Sequence, residues 1–176
     1  ASMGLMRNLE VHEIVCQVFE LSKNASITNI VFMGMGEPLH NLENVACAIE
    51  ILLCQDGLNF SKRKITVSTS GLVPQIRKLN ERLVGENRVN LAISLNGSYD
   101  EQREMVMPVN KAFPIAQLMD ACKNFYLEPH RRITFEYVML GGHNDSLEDA
   151  RRVMDLVQDI PSKVNLIPFN AHAASA

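Results

Sequence analysis

No apolar run in this sequence approaches the roughly 18 residues that a helical membrane span requires, so no membrane partner is expected. An excess of positive charge is missing too: 17 basic against 20 acidic residues leave a net charge of −3. Binding nucleic acid through a basic face leaves a positive footprint. Here basic residues gather only locally, at Lys62, Arg63 and Lys64, at Arg77, Lys78 and Arg82, and at Arg131 and Arg132. Solvated loops and helix faces account for these clusters. The four cysteines, Cys16, Cys47, Cys54 and Cys122, never fall in C-x-x-C or C-x-x-x-C spacing, so no metal site can be read locally. They read as small buried hydrophobes in a chain from a reducing compartment, with Cys47 and Cys54 on one helix face. A Walker-type phosphate loop and a G-x-G-x-x-G pattern are both lacking. No Ser-His-Asp or Cys-His order stands out. The opening stretch ASMGLMRNLE carries no basic leader followed by an apolar block. Ala1 and Ser2 precede its first methionine, so the chain is expected to begin inside a longer protein.

What is present is a core and a rhythm. The 176 residues are 47% hydrophobic and 21% charged, which fits one domain over 1–176 with no dividing linker. Helical spacing joins Val11, Ile14, Val15, Val18 and Phe19 behind a possible cap at Asn8. Asn29 to Met33 then reads as a strand, and its fully apolar run fits a buried parallel strand. Asn41 caps a helix that turns Val45, Ile49, Leu52 and Leu53 inward. KITV (Lys64 to Val67) is a strand, and a helix with Val73, Ile76, Leu79 and Leu83 follows it. Val89 to Leu95 is the third strand. A loop through Pro108 leads to a helix over 114–125. Arg132 to Leu140 alternates as a fourth strand. Ser146 with Asp149 three residues on predicts a capping box, on a helix burying Leu147, Ala150, Met154 and Val157. Lys163 to Phe169 closes the series. Such alternation predicts a parallel sheet with right-handed helical crossovers. Closure into a barrel and a flat doubly wound sheet both remain open at this point. An order that begins on a helix and ends on a strand looks cut at both ends.

In parallel α/β folds ligands gather at the carboxyl ends of strands. Those ends read Gly34-Met35-Gly36-Glu37-Pro38, Ser68-Thr69-Ser70-Gly71, Ser94-Leu95-Asn96-Gly97-Ser98, Gly141-Gly142-His143-Asn144-Asp145 and Pro168-Phe169-Asn170. Each is small, polar or both. Together they form a rim of hydroxyls, amides and bare backbone, with one carboxylate near its start. That suits a ligand bearing an ammonium group and a ribose. The lysine or arginine of a phosphate clamp is missing, as is the Schiff-base lysine that a barrel aldolase needs. Glu37 on its own could simply cap the turn that follows it. His143 and His172 sit on loops and read as solvated. Glu136 faces a barrel interior or pairs with a nearby arginine.

The blocks GMGEPLHN, SKRKITVSTSGLVPQIRKL, LAISLN, MPVNK, RRITFEYVMLGGHNDS and KVNLIPFN resemble the core of the radical S-adenosylmethionine 23S ribosomal RNA (adenine carbon-2) methyltransferases, which also act on some transfer RNAs. The resemblance covers essentially the whole chain, in family order. It implies an α/β fold, a partial TIM-like (β/α)6 radical-SAM barrel of parallel strands, truncated at both ends. It implies S-adenosyl-L-methionine and a 4Fe-4S cluster as cofactors, with 23S rRNA, tRNA and an electron donor for the cluster as partners. The location it implies is the cytoplasm, or an organelle. Carried over by position, Gly36 and Glu37 hold the methionine end of the cofactor. Ser68 touches the cofactor, Ser94, Leu95 and Asn96 form the third strand end, and Asn170 follows the last strand. A sister family methylates carbon 8 of the same adenosine; GMGEP and STSG resemble the carbon-2 family more closely.

The departures are as specific as the match. The family's C-x-x-x-C-x-x-C cluster motif and its methyl-carrying cysteine have no counterpart here, and FNAHAASA departs from the family's proline-rich ending. None of the four cysteines corresponds to a catalytic one. The 176-residue chain alone is therefore expected to hold no cluster and to be inactive. A non-catalytic module binding nucleotide or RNA is the alternative from outside the enzymes.

Overall fold

The computed structural model describes residues 6–170; His172 and the first residues of the opening stretch lie outside them. The elements are α1 (Val11–Ser22), β1 (Ile30–Phe32), α2 (Leu42–Leu53), β2 (Ile65–Thr69), α3 (Val73–Arg82), β3 (Asn90–Ser94), α4 (Asp100–Val106), α5 (Ile115–Lys123), β4 (Ile133–Met139), α6 (Leu147–Val157) and β5 (Ser162–Pro168). The five strands form one sheet in the order β1-β2-β3-β4-β5, and every pair is parallel. A doubly wound sheet reverses its strand order at a switch point. No reversal occurs here, so right-handed crossovers carry the connecting helices to one face of the sheet. That is the winding of a partial TIM-like barrel. Among the described residues the sheet is open, with β1 and β5 as its edges.

The register sorts side chains between the two faces. Thr69, Ile93, Phe135 and Val164 lie in one row, and Ser68, Ala92, Thr134 and Lys163 in the row beneath. The helix-facing set, Ile65, Val67, Leu91, Ile93, Ile133 and Phe135, is 0% exposed. It shares one core with Ile49 and Leu52 of α2, Ile76 of α3 and Leu118 of α5. Burying each such side chain contributes about 2 kcal/mol. The opposite face carries Thr66, Ser68, Asn90, Ser94, Thr134 and Glu136, so the concave side of the sheet is polar.

Several local expectations are corrected. β1 is not buried: Val31 is 50% exposed, because β1 is an edge strand whose concave side has no cover. Glu10, not Asn8, starts α1, and its N–H donates to Glu13 Oε2 at 2.8 Å. Asn41 does occupy the start of α2, but its amide donates to Leu9 O at 2.8 Å, joining the segment before α1 to α2. Cys16 and Cys54 are exposed, and only Cys122 is fully buried. Cys54 lies past the last turn of α2, and Cys47 Sγ lies 3.6 Å from the Arg82 guanidinium.

The largest departure is the stretch before Pro108, which folds as α4. The buried side chains of α4 are Gln102 and Arg103, so its inward face is polar and leaves no apolar periodicity to read. α6 has the expected capping box, with Asp149 N–H donating to Ser146 Oγ at 3.1 Å and Ser146 N–H to Asp149 Oδ2 at 3.2 Å. Its inward face differs: Asp149 and Val153 are buried, while Leu147 is 80% and Met154 68% exposed. Inward hydrogen bonds to the Asp149 carboxylate set the rotation of the helix, as described next.

Candidate functional site

β1 ends in Gly34-Met35-Gly36. Gly34 has φ +137° and Gly36 φ +82°, and an added Cβ would meet nothing within 4 Å at either. Conformation rather than crowding thus requires glycine there. No backbone hydrogen bond within the described residues uses these three residues. Glu37 follows. Its Oε1 accepts the Leu39 N–H at 3.0 Å, capping the short turn Pro38–Asn41. Its Oε2 accepts both the N–H and the hydroxyl of Ser70, each at 2.7 Å. A carboxylate offers about four acceptor sites, and three are taken. The cap reading and the site reading therefore both describe this side chain: it braces the β1 end against the β2 end and keeps one acceptor site.

Ser68 is buried on the concave face, in register with Ala92. Ser94 lies two residues further along the same face of β3, in register with Glu136, which pairs with Asn165 of β5. Glu136 thus points to the concave side, the first of its two expected settings. The Leu95 side chain is 0% exposed in the apolar core, so only its backbone is at the rim. Asn96 takes φ +53°. Its Oδ1 accepts the Val138 N–H at 2.9 Å, extending the junction between β3 and β4. Asn170 is exposed just past β5, where Phe169 N–H donates to Met139 O at 3.2 Å. Gly36, Glu37, Ser68, Ser94 and Asn96 thus gather at the carboxyl ends of β1 to β3. Asn170 lies at the same end of the sheet on its far edge.

Sequence reasoning missed Arg103 altogether, and missed the roles of Asn144, Asp149 and His143. Arg103 is 0% exposed. Its Nε donates to Leu95 O at 2.9 Å, one terminal nitrogen to Asn110 Oδ1 at 2.8 Å, and the other to Ser70 O at 2.6 Å and Ser94 O at 3.2 Å. Burial pulls this guanidinium down to about 10, against the opposing pull of Asp100, so it stays charged at neutral pH. Asn144 bridges β3 and β4 by donating to Asn96 O at 3.1 Å and Val138 O at 2.8 Å. The buried Asp149 accepts from Ser98 Oγ at 2.6 Å and Gln102 Nε2 at 2.9 Å. Burial pushes its carboxyl up, but the bonds from Ser146, Ser98 and Gln102 outweigh that and hold it at about 2. His143 Nε2 is buried and has no partner among the described residues, which corrects the solvated reading. The MPVNK block contains Asn110, so a polar residue in a recognised block was the one available signal for this network.

A groove of about 640 Å³ runs along the outer edge of β1, bounded by Ile14, Val18, Val31 and Met35 and touching Glu37. Its lining includes Gly34, Gly36 and Glu37, so it reaches the carboxyl end of β1. Among the described residues no group of three or more His, Cys, Asp or Glu side chains is placed to hold a metal ion.

The radical SAM superfamily profile matches residues 1–157. The chain belongs to the radical SAM superfamily. It is 55% identical over 168 residues to the dual-specificity RNA methyltransferase RlmN of Geobacter sulfurreducens, covering 96% of this chain and 46% of that protein. It is 55% identical over 179 residues to RlmN 2 of Myxococcus xanthus, with the same coverages. The crystal structure of a radical SAM methyltransferase from Sphaerobacter thermophilus aligns with a TM-score of 0.86 at 42% identity, over 97% of this chain and 50% of that one. The chain spans about half the length of the curated relatives it matches. Radical SAM membership implies S-adenosylmethionine, and a 4Fe-4S cluster in the full-length family. The strand ends offer bare backbone, hydroxyls and one carboxylate, a donor set that fits the amino-acid and ribose parts of S-adenosylmethionine. The described cysteines are scattered, with Cys16 in α1, Cys47 in α2, Cys54 just past α2 and Cys122 in α5, and do not fit a cluster.

Proposed function

We propose that this chain is the S-adenosylmethionine-binding core of an RNA methyltransferase acting on carbon 2 of adenine in 23S rRNA and in some tRNAs. The observation that carries the reading is the convergence of Gly36, Glu37, Ser68 and Ser94 on one end of a singly wound parallel sheet, in a chain so similar to proteins named RlmN. When bound, S-adenosylmethionine supplies the transferable methyl group. The residues of this chain bind and orient it. The Gly34–Gly36 backbone and the remaining acceptor site of Glu37 face the ammonium. Ser68 and Ser94 offer hydroxyls on the concave side. Leu95 contributes backbone, Asn96 shapes the rim, and Asn170 borders the site from the β5 edge. The chain functions as one incomplete barrel unit over 1–176, in the cytoplasm or an organelle, with an electron donor as a partner of the intact protein.

The chain by itself is inactive in this reading, since its described residues offer no cluster ligands. Calorimetry tests the cofactor site. The chain is expected to bind S-adenosylmethionine, and Glu37→Ala and Ser68→Ala each to weaken binding at least about tenfold, the equivalent of about 1.4 kcal/mol. Unchanged affinity in both variants rejects the site. Mapping the methylated position on an rRNA fragment with the intact protein decides between carbon 2 and the carbon-8 alternative. Binding of RNA or nucleotide without methyl transfer by the intact protein identifies the non-catalytic module instead.

A further inference from the structure

A buried arginine is usually found against a carboxylate, because its charge is costly to remove from water. Arg103 has no ion pair among the described residues. Three of its four hydrogen-bond partners are main-chain carbonyls: Ser70 O at 2.6 Å, Ser94 O at 3.2 Å and Leu95 O at 2.9 Å. The fourth, Asn110 Oδ1, belongs to a fully buried side chain whose own amide donates to Asp100 Oδ1 at 2.8 Å. Ser94 O is the last carbonyl of β3, and Ser70 O and Leu95 O lie one residue past β2 and β3, where those strands give way to the rim loops. The guanidinium fork is rigid and planar, so it fixes the relative position of the groups that it bridges.

Two glycines make room for it. A Cβ at Gly97 would lie 2.7 Å from Arg103 Cα, and a Cβ at Gly71 3.1 Å from its terminal nitrogen. The same Ser70 whose carbonyl Arg103 holds gives its N–H and hydroxyl to Glu37. A continuous chain therefore runs from the Glu37 carboxylate through Ser70 and Arg103 to Ser94 and Leu95. It joins the ends of three consecutive strands at the rim.

We infer that Arg103 is the positioning residue of the strand-end site: it touches no ligand itself, and sets the spacing of the β1, β2 and β3 ends that a ligand contacts. The inference rests on the cofactor-site reading above for its consequence in binding, but the positioning can be observed independently. Lysine at this position keeps the charge and loses the fork; glutamine loses both the charge and most donors.

The test uses the intact protein carrying Arg103→Lys or Arg103→Gln, with Ile49→Val in the α2 core as a destabilised control. Amide hydrogen exchange is followed at Ser70, Gly71 and 95–97, and S-adenosylmethionine affinity is measured on the same samples. In both Arg103 variants, exchange is expected to rise at least tenfold at these rim amides with the β3 and β4 cores still protected, and affinity to fall at least tenfold. In the control neither is expected to change more than twofold at the rim. Exchange that rises uniformly through the sheet, or affinity that follows the thermal midpoint equally in all variants, overturns the inference. Should the glutamine variant not fold, the lysine variant decides by the same two readouts. Absence of S-adenosylmethionine binding by the unsubstituted protein rejects the cofactor-site reading, and the exchange pattern still decides the role of Arg103.

Discussion

At the residue scale, Glu37 illustrates how a site and its scaffold share one side chain. Both of its oxygens are engaged, and two of its three donors come from Ser70 on the neighbouring strand end. Replacing it with glutamine turns one acceptor into a donor and leaves part of that set unpaired. Leaving such groups unsatisfied costs about 1–3 kcal/mol, so Glu37→Gln is expected to lower urea stability by about 2 kcal/mol even without cofactor. Asp149 gives the pH counterpart. Its native value of about 2 lies below its ordinary 3.8, so its contribution is complete above the ordinary value and is lost as pH falls toward 2. The shift corresponds to stability on the order of 2 kcal/mol. The stability gap between the native chain and Asp149→Asn is therefore expected to narrow on going from pH 5 to pH 2, as followed by urea titrations at each pH. Glu37 was legible because a carboxylate after two glycines at a strand end is an oddity that demands a reason. Leu95 was misleading for the opposite reason: its place in a recognised motif says nothing about which way its side chain points, and register sends it into the core.

At the scale of elements, apolar periodicity was a good guide wherever an element buries hydrocarbon. α2, α3 and α5 and the helix-facing sides of β2, β3 and β4 were legible from it. It failed at α4 and α6, where polar groups set the inward face. Gln102 is 1% exposed, accepts the Ser98 N–H at 2.7 Å, and donates to His143 O and Asp149 Oδ1. Two of these three partners, His143 and Asp149, are more than 40 residues away, and local spacing does not show them. Making α4 more conventionally amphipathic should therefore harm it. Gln102→Leu leaves the Ser98 N–H without its acceptor and removes one of the donors to Asp149, so it is expected to cost about 2 kcal/mol despite its greater hydrophobicity. By contrast Ser146→Ala removes only the capping hydroxyl of α6 and its hydrogen bonds, and about 1 kcal/mol is expected from thermal denaturation.

At the scale of the whole molecule, a singly wound sheet with sequential strand order has two free edges unless it closes. β1 pairs only with β2, and β5 only with β4, among the described residues. β1 is short, at three residues, and β5 carries Lys163 and Pro168, which blunt the edges only in part. Val31 on β1 and Leu166 on β5, the latter 59% exposed, present apolar side chains beside unpaired main-chain groups. Exposed edges of this kind template pairing with another chain. The 176-residue chain is therefore expected to self-associate as its concentration rises, with sedimentation velocity showing species larger than 19.7 kDa. Lysine blunts an edge by charge and solvation, so the double substitution Val31→Lys and Leu166→Lys is expected to return the chain to monomer without altering the core. Val31 pairs with Thr66 on the concave face, Leu166 sits at the exposed end of the helix-facing row beside Tyr137, and neither belongs to the hydrogen-bond chain from Glu37 to Leu95. A single monomeric species for the unsubstituted chain across a hundredfold concentration range would mean that the edges are already covered by this chain's own residues. In that case the open sheet, and not the chemistry assigned to its strand ends, is the part of the account that has to change.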